Sequence, residues 1–133
     1  MPTTVTEPQT LTPYETAGGA KRVRAFVDRF YDLMDADPAY AELRALHAAD
    51  LTPMRASLAS FLTGWLGGPR DWFEQRPGVC MMSIHGKIRI NAHTARQWTE
   101  AMARALADSR IDRDLSARIN EAFGRMAEGM AGR

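Results

Sequence analysis

Three histidines, three tryptophans, three tyrosines and one cysteine are the side chains of this 133-residue chain with most scope for chemistry. Two of the histidines fall in 81-MMSIHGKIRINAHTARQW-98, where an apolar run reaches His85 and Trp98 follows thirteen positions later. A neutral imidazole offers one ring nitrogen as metal ligand or hydrogen-bond acceptor and the other as donor. A histidine at the end of an apolar helix therefore has two readings, a satisfied core residue or a metal ligand, and spacing leaves both open at His47 and at His85. His93 stands where a helix should begin and is expected to face solvent. Cys80 has no charged neighbour in sequence that would favour a thiolate. There is no Cys/His pair at zinc spacing, no GxGxxG, no phosphate-binding loop and no nucleophile elbow.

The elements that must position these residues are helices. Val23, Phe26, Val27, Phe30, Tyr31 and Met34 recur at spacings of three and four and make one apolar stripe. Asp37-Pro38 ends that helix, because proline disfavours helical geometry in the residue before it. A short helix is expected over 39–46, with His47 at its end. Asp50-Leu-Thr-Pro53 reads as the next start, with Thr52 as cap and Pro53 at the first helical position. Met54, Leu58, Phe61, Leu62, Trp65 and Leu66 form its apolar face, and Gly67-Gly68-Pro69 stops it. Residues 70–80 show no period and are expected to be loop, followed by a short helix over 79–85. A longer helix from about Thr94 turns Trp98, Ala101, Met102, Ala105 and Leu106 inward. The last, from about Arg113, buries Leu115, Ile119, Ala122, Phe123, Met126 and Met130. With no strand pattern and no repeat, the fold class is all-α.

Apolar residues make up 45% of the chain and charged residues 25%, the proportions of an ordinary globular domain. The 17 basic and 16 acidic side chains nearly cancel, which gives no reason to expect nucleic acid or an anionic membrane as partner. Residues 1–13, rich in Thr and Pro, read as a loose tail without the features of a secretory signal, ahead of one domain over 14–133. No apolar run approaches the roughly 20 residues needed to span a bilayer. A lone cysteine forms no internal disulfide, so a cytoplasmic location is expected.

Read in order, several of these segments resemble one family. The stretch 14-YETAGGAKRVRAFVDRFYDLM-34 looks like its double-glycine break and a second helix ending in Phe-Tyr. The stretch 58-LASFLTGWLGGP-69 looks like its distal helix with a Gly-Gly-Pro ending. The stretch 85-HGKIRI-90, with Arg96 and Trp98, looks like its proximal histidine, basic stretch and helix tryptophan. The family is that of the truncated haemoglobins, group II, the two-over-two globins. The resemblance runs from about Tyr14 to about Gly129.

It implies a shortened globin around haem b, with His85 as the proximal iron ligand; the other ring nitrogen of such a ligand takes an acceptor of its own. It also implies that Tyr31, His47 and Trp98 face the distal side, where hydrogen-bond donors stabilise a bound gas. Met54, Leu58 and Phe61, at i, i+4 and i+7 on one helix face, would complete an apolar wall. Met54 stands where other globins carry a distal histidine. Ile90 and Trp72 are further expected haem contacts, and Lys87 and Arg89 expected propionate partners.

Three departures fall on the proximal side. Ile84 replaces an arginine before the proximal histidine, 77-PGVC-80 replaces a Gly-His-Pro, and Trp72 replaces a tyrosine. The implied function is binding of dioxygen and other diatomics such as nitric oxide and carbon monoxide, by a monomer or homodimer. A haem-dependent nitric oxide dioxygenase or peroxidase is the alternative. It would need an external reductase, since the sequence names no reductase domain. A third reading is a helical interaction module without cofactor.

Overall fold

The structure, a computed structural model, describes residues 11–77 and 90–131, the last two by backbone alone. Thr12 and Pro13, in the segment read as a tail, belong to the first helix and its cap. Thr12 caps helix α1 (Pro13–Ala17): its hydroxyl accepts from the Glu15 N–H while the Glu15 carboxylate accepts from the Thr12 N–H, and Pro13 opens the helix. Gly18 and Gly19 then adopt left-handed backbone at φ 106° and 82°, conformations that a side chain would strain. They turn the chain into α2 (Gly19–Ala36), whose stripe from Val23 to Met34 is buried as expected. Asp37 is extended ahead of Pro38, and its carboxylate accepts the Ala39 N–H.

The expected helix over 39–46 is two pieces, a 3-10 turn (Pro38–Tyr40) and α3 (Ala41–Ala45). Helix α4 (Thr52–Trp65) starts one residue earlier than the sequence suggests. Thr52 is its first residue, not its cap, and the Asp50 carboxylate accepts the Thr52 N–H at 3.0 Å. Residues 71–75, expected to be loop, form α5 (Asp71–Gln75). Its Phe73 ring packs so close to Gly64 that a Cβ there would sit 2.7 Å from it. Helix α6 (Ala92–Asp108) begins ahead of Thr94, because Asn91 caps it and Thr94 is the third residue of the capping box. Helix α7 (Arg113–Ala131) closes the chain.

Helix α2 packs on α4 and on α6, and α6 packs on α7. That is one helix pair laid over another. Phe26, Phe30, Met34, Met102, Leu106 and Phe123 fill the space between them. Among the described residues there is no strand, and no helix is long and apolar enough to cross a membrane.

Candidate functional site

A cavity of about 180 Å³ opens between α3, the start of α4 and the first half of α6. Leu43, Leu46, His47 and Ala48 supply one side, Met54 the rim, and Ile90, Thr94, Ala95, Trp98 and Ala127 the rest. Apart from His47, Thr94 and Trp98 the wall is hydrocarbon or thioether. The Thr94 hydroxyl is engaged by the Asn91 cap. Met54, at 38% exposed, is partly open to solvent.

His47 is half-buried, and its Nδ1 lies 2.9 Å from the Leu43 carbonyl. A carbonyl only accepts, so Nδ1 carries the proton, and in the neutral ring Nε2 is then the acceptor. The ring edge meets Tyr31 at 6.0 Å between centroids. Tyr31 is buried, and burial pushes its phenol up to about 12, with the Arg55 guanidinium pulling the other way from 5.8 Å over the ring. Arg55 is itself held by Asp28 and Asp32 of α2. Tyr31 thus stands against His47, one ring back from the residues that line the cavity.

Trp98 approaches from α6. Its ring stacks on Phe123 of α7 at 5.0 Å and 17° between planes, and Phe123 also meets Trp65 of α4. Among the described residues the indole N–H has no hydrogen-bond partner.

The other expected contacts are placed as follows. Leu58 is half-buried against the core. Phe61 and Trp72 are buried in a cluster with Phe73, with ring centroids 5.1–5.4 Å apart, and are not among the residues lining the cavity. His93 is exposed as expected, with Nε2 2.8 Å from a Glu42 carboxylate oxygen. His85, Lys87, Arg89, Cys80 and the short helix expected over 79–85 lie outside the described residues.

Sequence reasoning missed Gln97. It is buried, and its Oε1 accepts the Leu43 N–H at 3.0 Å. The available signal was register: Thr94, Gln97 and Ala101 continue the buried stripe of α6, so a polar side chain stood at a core position.

A family model described as bacterial-like globin matches residues 12–131. The chain belongs to the bacterial-like globins. This globin is 30% identical over 94 residues to the group 2 truncated haemoglobin YjbI of Bacillus subtilis (strain 168), covering 71% of this chain and 68% of that one. Its fold is similar to the group II 2-on-2 haemoglobin of Agrobacterium tumefaciens, with TM-score 0.87, 34% identity and coverage of 94% of this chain and 97% of the other. It is equally similar to the cold-adapted truncated haemoglobin of Pseudoalteromonas haloplanktis TAC125, with TM-score 0.87, 29% identity and coverage of 92% and 99%. The two-over-two arrangement is therefore that of the truncated globins, and an interaction module without cofactor is set aside.

The globin family implies haem, and the cavity's chemistry fits one. A flat macrocycle with apolar faces needs a dry hydrocarbon wall, which Leu43, Leu46, Ala95 and Met54 provide. The partly exposed Met54 thioether is a surface such a group would cover. The nitrogen-bearing rings of His47 and Trp98 give that wall polar groups able to meet a small ligand.

Proposed function

We propose that this globin binds dioxygen, and other diatomic gases such as nitric oxide and carbon monoxide, at a haem b whose iron is held by His85. The observation that carries the reading is the meeting of His47 and Trp98, from separate elements, on the wall of one apolar cavity, with Tyr31 against His47.

Bound haem would supply the ferrous iron that takes a diatomic gas. The chain's own residues decide how long the gas stays. Trp98 Nε1–H is a donor only, so it favours a ligand that accepts hydrogen bonds. With its Nδ1–H given to Leu43, a neutral His47 accepts at Nε2 and orients a neighbouring donor rather than donating itself. The Tyr31 hydroxyl stays protonated through the whole neutral range and is the second donor of the group. The apolar remainder of the wall excludes water that would compete for these bonds. Lys87 and Arg89 are read as partners of the haem propionates.

Absorption spectra of the purified protein in ferric, ferrous and oxygenated forms test the reading. A Soret band with about one haem per chain is expected. His85→Ala should weaken or abolish haem retention. Unchanged spectra and iron ligation in that variant would remove His85 as the proximal ligand.

A further inference from the structure

We infer that Gln97 is a positioning residue for His47, acting through the backbone of Leu43; the inference rests on reading this cavity as the gas-binding pocket. Gln97 is 8% exposed, one of the buried polar side chains of the chain. Its Oε1 accepts the Leu43 N–H at 3.0 Å, and the Leu43 carbonyl accepts His47 Nδ1–H at 2.9 Å. Two hydrogen bonds in series, both on one residue, run from α6 to the imidazole.

The arrangement answers a need of α3. The first N–H groups of a helix have no partner within it, and in a helix of five residues these are most of the donors. Leu43 is buried, so water does not replace the missing acceptor. Gln97 supplies it, and so ties to α6 the turn whose Leu43 carbonyl accepts both the Leu46 N–H at 3.1 Å and His47 Nδ1–H. That carbonyl fixes which imidazole nitrogen carries the proton, and with it which face of His47 offers an acceptor.

Other links hold α3 but leave this one its own task. His93 pairs with Glu42 at the exposed edge. Arg44 binds Asp35 and the carbonyls of Ala48 and Ala49. These keep the segment folded without touching either polar group of Leu43. Trp98, next to Gln97 in sequence, lines the cavity, so one turn of α6 both contributes to the pocket and steadies its opposite wall.

The test uses Gln97→Met, which keeps the side chain's volume and removes the acceptor, and Gln97→Glu, which keeps an acceptor oxygen. Histidine tautomers are read by long-range 1H–15N spectra at about pH 8.5, above the ordinary imidazole range. The sample is the diamagnetic ferrous carbon monoxide complex, or the bare chain if no haem is taken up. Wild type should show His47 mainly protonated on Nδ1. Gln97→Met should make that form minor and speed Leu43 amide exchange by about tenfold or more, while Gln97→Glu restores both.

In the haem-loaded protein Gln97→Met should release dioxygen about threefold faster, and should add nothing in a His47→Ala background. A wild-type tautomer and Leu43 exchange rate in Gln97→Met would overturn the inference. So would an equal acceleration with and without His47. Failure of wild type to take up haem would sink the gas-binding reading instead, and the tautomer and exchange measurements would still decide the role of Gln97.

Discussion

Trp98→Phe isolates one hydrogen bond. Phenylalanine retains a flat ring for the stack on Phe123, where the centroids lie 5.0 Å apart and the planes 17° from parallel, so the packing of α6 on α7 is largely kept. What is lost is the indole N–H on a cavity wall that is otherwise mostly hydrocarbon. A neutral hydrogen bond is worth about 0.5–1.5 kcal/mol net, and a dry site favours the upper part of that range. At about 1 kcal/mol the loss corresponds to a roughly fivefold faster release of dioxygen. The association rate should change little, because the bond forms only once the ligand is in place. Stopped-flow displacement of dioxygen by carbon monoxide measures the release directly. An unaltered release rate, in a variant whose Soret band and haem content match wild type, would refute the reasoning and leave Trp98 as packing alone.

Tyr31→Phe should act on stability at alkaline pH. The folded phenol titrates near 12 against 10.0 when exposed, so the folded state holds its proton more tightly; this stability is complete below about pH 10 and is lost as pH rises towards 12. A rise of that size corresponds to at most about 2–3 kcal/mol, and urea unfolding at several pH values should show wild type losing more stability than the variant across this window. Gly64→Ala should destabilise by about 1–3 kcal/mol, because its Cβ meets the Phe73 ring at 2.7 Å and that ring is held between Phe61, Trp72 and Arg70. A thermal midpoint equal to wild type would show that α5 moves aside freely. Asp50→Ala should lower the denaturant midpoint more than Thr52→Ala does, through the lost bond to the Thr52 N–H; the reverse order would reinstate Thr52 as the cap.

The long elements were legible because their signal is repeated. Seven buried residues of α2 recur at helical spacing, and the Gly18-Gly19 break before them is punctuation that left-handed backbone demands. Short elements lack that redundancy. Helix α5 holds five residues and an aromatic pair, which define no period; its place is set by the fit of Phe73 against Gly64. The same limit applied to Gly68, which the sequence offered as part of a helix stop. The Tyr14 ring lies over it, within 2.7 Å of where a Cβ would be, so the residue is also the contact that seats α1. Helix starts were misplaced by one or two residues for a related reason. The inward-facing period begins at Thr94 and near Met54, whereas the side chains that receive the first N–H groups are those of Asn91, the cap of α6, and Asp50, one residue before the cap of α4.

The candidate site divides along the same line. His47, Met54, Ile90 and Trp98 could be named from residue type and family order, and they line one cavity. Gln97 could not, because its partner is the N–H of Leu43, and a backbone amide has no sequence signature. Yet that bond bears on the chemistry as directly as the named side chains. Each imidazole nitrogen is a donor or an acceptor according to which one holds the proton, and here the Leu43 carbonyl takes the Nδ1 proton. On the gas-binding reading, the identity of His47 would supply the capacity to meet a ligand, while the placing of a five-residue helix against α6 would determine which ring nitrogen carries the proton.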